Sequence, residues 1–185
     1  GLLVFPERVA HNIDWAIQAV QGDASRLRPH IKTHKTKEVN EMMLERGITK
    51  FKAATIAEAE LLAMSQAPDV LLAMQATGPY IARLLQLIRS YPQTRFSCLL
   101  DHPEALEPLG SEAEKAGLSL GIFLDLDMGM HRTGIPIPHA MAMAQEIHKA
   151  KGLEFRGLQA YDGHIRDQDL QDRKARAEQD FKDFW

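Results

Sequence analysis

The feature that most constrains this fold is a regular alternation of short apolar runs with stretches of helical period. Successive strands joined through helices pair in parallel, because a parallel neighbour needs a crossover of a dozen or more residues. Strand-like runs fall at Leu2–Phe5, Leu27–Lys32, Lys50–Ala54, Val70–Met74, Arg95–Asp101, Leu120–Asp127 and Phe155–Tyr161. Between them, Glu7–Val20, His34–Arg46, Ala57–Gln66, Pro79–Ser90, Glu104–Ala116 and His139–Lys151 place apolar residues on one helical face. Gly47, Gly117 and Gly152 stand where helices end, and Thr55 and Thr77 stand where helices begin. The short links favour a (β/α) barrel over an open sheet. A closed eight-stranded barrel takes about 250 residues, whereas this chain has 185. The expectation is therefore an α/β TIM-type barrel, incomplete here, whose protein continues past Trp185. A smaller open α/β domain is the alternative.

Composition narrows the function classes. A hydrophobic content of 45% supports one sizeable core, and a net charge of -3 with interspersed signs argues against nucleic acid or an anionic membrane as partner. No apolar run reaches membrane-spanning length, and no signal-peptide pattern opens the chain. The single Cys98 excludes an internal disulfide and, inside an apolar run, reads as core. These features point to a cytoplasmic protein. Neither common nucleotide-binding glycine pattern is present.

Three segments carry chemistry. In Arg28-Pro-His-Ile-Lys-Thr-His-Lys35, Pro29 imposes an extended approach, and Lys32 is expected at the C-terminal end of a strand, where α/β folds place their reactive groups. Neighbouring cations and partial desolvation favour a neutral amine, the form that attacks an aldehyde. A solvated cationic rim is the plainer reading. His30 and His34 lack the sequence context of a zinc pair. In Asp125-Leu-Asp-Met-Gly-Met-His-Arg-Thr-Gly134, alternation puts Asp125 and Asp127 on one strand face, and Arg132 is expected to fold back onto an Asp. In Gly157-Leu-Gln-Ala-Tyr-Asp-Gly-His164, Tyr161 offers a flat face for a planar ligand, and His164 offers proton transfer or a structural hydrogen bond. The Met141–Met143 run reads as helix packing.

Together with Phe51-Lys-Ala-Ala-Thr-Ile-Ala-Glu-Ala-Glu60, these motifs resemble, in order and along essentially the whole chain, the D-threonine aldolase and D-serine dehydratase family. That family belongs to the alanine-racemase-like, fold-type III pyridoxal-phosphate enzymes. The resemblance implies that Lys32 bonds pyridoxal phosphate and that Arg132 lies near the cofactor's phenolic oxygen, with Asp125 as its anionic partner. It implies that Tyr161 covers one face of the pyridine ring, with His164 just beyond. It assigns residues 1–5 to a strand of a separate β-domain and residues 6–185 to a partial cofactor-binding barrel of about six strands. The implied activity is a lyase on D-β-hydroxy amino acids, aldolase-like, with dehydratase, racemase and non-catalytic cofactor carrier as alternatives. A homodimer, and a divalent metal held by ligands outside this chain, are also implied.

Overall fold

In the computed structural model, which describes residues 3–182, the predicted alternation is realised. The helices are α1 (Pro6–Ala19), α2 (Lys37–Glu45), α3 (Ile56–Met64), α4 (Pro79–Ser90), α5 (Leu106–Lys115), α6 (Ile137–Lys149) and α7 (Leu170–Lys182). The strands are β1 (Lys50–Ala53), β2 (Asp69–Gln75), β3 (Arg95–Leu100), β4 (Leu120–Asp127), β5 (Ile135–Pro136) and β6 (Leu153–Ala160), and all belong to one sheet. The paired registers of β1 with β2, and of β4 with β5 and β6, are parallel. The chain divides into two compact units. One takes the described residues up to Met74 plus Arg83–Ser97, and the other takes Gln75–Ala82 plus the described residues from Cys98 onward.

In the first unit, β1 buries Phe51 and Ala53 and turns Lys50 and Lys52 outward, the period-two pattern of a strand with one covered face. Its register on β2 runs from Lys50 opposite Asp69 to Ala53 opposite Leu72. Ile31, Phe51, Leu62, Leu71, Leu72 and Leu84 are the large fully buried side chains of this unit. Only Ala54 and Thr55 separate β1 from α3. The Thr55 hydroxyl accepts the Glu58 N–H at 3.1 Å and Glu58 Oε2 accepts the Ala54 N–H at 2.7 Å, so a variant of the capping box makes this sharp turn. Thr55 is thus the expected N-cap, whereas Thr77 lies two residues before α4.

One expected strand is corrected. Leu27–Lys32 does not form one. His30 makes a single parallel bridge to Lys52, and Ile31–Thr33 then tightens into a 3-10 turn. Pro29 has no N–H to give a ladder. Its carbonyl accepts the Lys52 N–H at 2.9 Å, while His30 Nδ1 accepts the Lys32 N–H at 3.3 Å and starts the turn. The expected strand Leu2–Phe5 begins outside the described residues, which exclude Gly1 and Leu2, and residues 3–5 have no strand pairing among the described residues. In return, the two-residue β5 joins the sheet, a strand too short to show a period.

In the second unit, β4 is buried at six of its eight positions, as expected of a parallel strand covered on both faces. The core here is Leu100, Leu109, Leu120, Ile122, Leu124 and Ile147. Leu126 has Ile135 of β5 and Ala160 of β6 as parallel partners, so both neighbours meet at the C-terminal end of β4. A bulge interrupts the β4–β6 register between Ile122 and Phe123. Gly134, at φ +102°, brings the chain back against the backbone of Leu126 and Asp127, where a Cβ would collide with main-chain atoms. Cys98 is fully buried and its thiol is pushed up to about 12 by that burial, in keeping with a core role. Met143 packs inside while Met141 is exposed, so only one end of that run packs as expected.

Candidate active site

Lys32 belongs to the first unit and sits in the 3-10 turn Ile31–Thr33 rather than at a strand end. Ile31 is fully buried beneath the turn and Lys32 is exposed. Lys35 closes the turn at φ +49°, its N–H bonded to the Ile31 carbonyl at 2.9 Å. Its ammonium pairs with Glu58, whose side chain is 5% exposed. Burial works to raise the Glu58 pKa, but the Lys35 ammonium and the Ala54 N–H prevail and hold it below the usual range. Lys37 pairs with Glu41 at 3.3 Å. Lys32 has no ion pair among the described residues, so it is the one lysine of the three not committed to a carboxylate.

The flanking histidines are fixed by the backbone. His30 Nδ1 accepts from Lys32 N–H and His34 Nδ1 accepts from Thr36 N–H at 3.2 Å. In the neutral form each therefore carries its proton on Nε2. Burial pushes both imidazoles below their ordinary value, and for His30 the neighbouring Lys32 charge adds to it. Among the described residues, no three His, Cys, Asp or Glu side chains form a metal-binding group.

Asp125, Arg132, Tyr161 and His164 all belong to the second unit. Arg132 stands over the Tyr161 ring, 5.3 Å from its centroid, within the range of a cation–π contact. The expected Arg132–Asp125 pair is absent among the described residues. Asp125 is 4% exposed on β4, while Arg132 is exposed on the following loop. Gln75, at the end of β2, approaches Asp125 instead, its Nε2 3.5 Å from Oδ2. The same amide donates to Asp101 Oδ2 at 2.7 Å, and that oxygen also accepts the Gly134 N–H at 3.0 Å. Asp127 Oδ1 accepts the N–H groups of Gly129 and His131, and its Oδ2 lies 2.7 Å from His131 Nδ1. Burial opposes the shift, but the His131 N–H, the His131 ring and the Gly129 N–H hold the Asp127 carboxyl below its usual range. His164 Nε2 lies 2.8 Å from Asp180 Oδ2 on α7, and its Nδ1 is buried without a hydrogen-bond partner.

Sequence reasoning passed over Gln75, Asp101, Glu58 and Asp180. A signal existed for the first two, since each is a polar residue directly ending an apolar strand. For Glu58 the Thr55-x-x-Glu58 spacing was the signal of a helix start though not of the Lys35 pair, and none existed for Asp180, which sits within an ordinary charged helix.

Comparison with known proteins gives this geometry a family. The chain is 29% identical over 168 residues to the D-threonine aldolase of an Arthrobacter species, covering 88% of this chain and 43% of that protein. It is 31% identical over 156 residues to the 3-hydroxy-D-aspartate aldolase of Paracoccus denitrificans (strain Pd 1222), covering 82% of this chain and 40% of that protein. The crystal structure of the D-threonine aldolase from Filomicrobium marinum superposes with a TM-score of 0.87 at 25% identity, over 96% of this chain and 48% of that one. The chain thus spans less than half the length of the relatives it matches. The family described as alanine racemase, N-terminal domain, matches residues 5–184. With that family matched over nearly its whole length, this parallel α/β chain belongs to the alanine racemase N-terminal domain family.

Proposed function

We propose that the whole protein is a pyridoxal-phosphate-dependent lyase that cleaves D-β-hydroxy amino acids, as the names of its aldolase relatives suggest. The observation that carries this reading is Lys32, without a carboxylate partner among the described residues, just ahead of two lysines, Lys35 and Lys37, that have them. An amine not engaged with a carboxylate is open to bond an aldehyde carbon. The donor set fits pyridoxal phosphate: an unpaired amine, a guanidinium that is always charged, and a half-exposed tyrosine face.

In this reading Lys32 would hold the cofactor through Nζ, and Arg132, Tyr161, Asp125 and His164 would be the other residues that bind and orient it. When bound, the cofactor supplies an electron sink for charge developing at the substrate Cα. Arg132 offers a planar guanidinium with several donors, so its role is orientation and electrostatic stabilisation. His164, with Nε2 on Asp180, is held in one ring orientation. In retro-aldol cleavage the β-hydroxyl loses its proton and the Cα–Cβ bond breaks, releasing glycine and an aldehyde. In dehydration the Lys32 amine would instead take the Cα proton while the β-hydroxyl leaves, ending in a 2-oxo acid and ammonia.

The proposal also places residues 1–5 in a second, β-rich domain and residues 6–185 in the cofactor-binding barrel. It adds a divalent metal held by ligands outside this chain, a homodimeric assembly and a cytoplasmic setting. Among the described residues no helix is long and apolar enough to cross a membrane. Full-length protein loaded with pyridoxal phosphate and a divalent metal, incubated with D-threonine and 3-hydroxy-D-aspartate, is expected to release glycine. A 2-oxo acid in place of glycine would transfer the assignment to a dehydratase. D-to-L conversion alone would make it a racemase, and bound cofactor without any product would make it a carrier.

A further inference from the structure

We propose that Asp101 is a positioning residue that fastens the loop carrying Arg132, holding the guanidinium over Tyr161. The inference rests on the reading that Arg132 faces the cofactor, and it adds a residue that the reading does not contain.

The loop 128–134 leaves the C-terminal end of β4 and returns as β5, with Arg132 near its far end. A carboxylate grips it at each side. On the outgoing side, Asp127 takes the N–H groups of Gly129 and His131, both at 3.0 Å. On the returning side, Asp101 Oδ2 takes the Gly134 N–H at 3.0 Å. The grip on Gly134 reaches across from the end of β3, so it is the only one of the two that comes from outside the loop's own strand. Gln75 donates to the same Asp101 oxygen at 2.7 Å, which fixes the carboxylate from β2.

The pairing of β5 is a weak substitute for this grip. β5 has two residues, and Pro136 has no N–H to contribute. Gly134 must also remain close against Leu126 and Asp127, an approach that its φ of +102° permits. With Gly134 fixed, Arg132 is two residues from an anchored point and one from the His131 N–H, which Asp127 holds. Little backbone freedom is left between them. The cation–π contact of Arg132 with Tyr161, at an exposed site, is by itself too weak to hold a loop. The direction of Arg132 therefore depends on the two carboxylates, and Asp101 is the one that comes from outside the loop's own strand.

Two measurements on the full-length protein separate this inference from the reading beneath it. The first is amide hydrogen exchange without cofactor. Asp101→Ala should speed exchange at Gly134 and Arg132 by about tenfold or more, the effect of losing a hydrogen bond to a charged acceptor, and leave the interior of β4 protected. Asp101→Asn keeps an oxygen able to accept both donors and should stay close to the unsubstituted protein. It also serves as the folded control if the alanine variant is unstable.

The second measurement is the pH midpoint of the absorbance band of bound pyridoxal phosphate. Arg132→Ala should move it, Asp101→Ala should move it in the same direction, and the double variant should move it no further than Arg132→Ala alone. Unchanged exchange in Asp101→Ala overturns the inference. So does an unmoved midpoint in Asp101→Ala beside a moved one in Arg132→Ala, or fully additive shifts. If Arg132→Ala itself leaves the midpoint in place, the assignment of Arg132 to the cofactor falls and the positioning role falls with it. The exchange result then reports separately whether Asp101 fastens the loop.

Discussion

At the scale of single residues, three lysines within one short segment have three different fates. Lys35 is spent on buried Glu58 and Lys37 on Glu41, leaving Lys32. Borohydride reduction of full-length protein with pyridoxal phosphate, followed by peptide mapping, should find the label on Lys32. Lys32→Ala should abolish it with the fold intact, because the side chain is exposed. Lys35→Ala should keep the label but lose some stability, since buried Glu58 would lack its partner. A label on Lys35 or Lys37 would overturn the assignment.

The histidines on either side make a pH prediction. Their folded pKa values lie below the ordinary imidazole value of about 6.5. The folded state therefore binds fewer protons than the unfolded chain. The stability this represents is complete above that value and is lost as pH falls below it toward the folded values. Urea midpoints should begin to drop below pH ~6.5. His30→Gln with His34→Gln should flatten that shoulder. The lowered carboxyls of Glu58 and Asp127 hold their contribution to more acid pH, so the steep acid limb should remain. A urea midpoint flat between pH 7 and 5 would contradict the account.

The motif residues of Lys32, Arg132 and Tyr161 were legible in the sequence because each lies in a short run of unusual chemistry. Glu58, Asp101, Gln75 and Asp180 were not, because their meaning lies in a distant partner. The hydrogen bonds that define them span 23, 33, 26 and 16 positions.

At the scale of elements, legibility followed length. Long apolar runs such as β3 and β4 and the amphipathic helices were readable because their periods repeat. Leu27–Lys32 had the composition of a strand but one proline too many, and the single bridge at His30 is what remains. β5 went unseen because two residues have no period. The junctions are where elements are most open to test. Thr55→Ala removes the cap of α3 and should cost about 1 kcal/mol by urea denaturation. Gly134→Ala meets both a left-handed φ and a backbone collision, and should cost about 1–3 kcal/mol or more. A Gly134→Ala protein as stable as the parent would mean that the return into β5 is looser than described.

At the scale of the molecule, the α/β class and its parallel sheet were legible from alternation alone, since parallel pairing leaves few other ways to connect such strands. Which strands complete the sheet was not, because pairing is decided between segments far apart in the chain. That distance has a consequence in time. Leu120 of β4 finds its partner in Leu153 of β6, and a ribosome adding roughly 5–20 residues per second delivers the second a few seconds after the first. For that interval one of the most apolar strands of the protein has been made while its neighbour has not. Nascent chains arrested between β4 and β6 should be held by chaperones that recognise exposed apolar strands, and chains arrested well past Ala160 should be released. Equal chaperone capture at both arrest points would show that β4 is sheltered during synthesis by something other than β6.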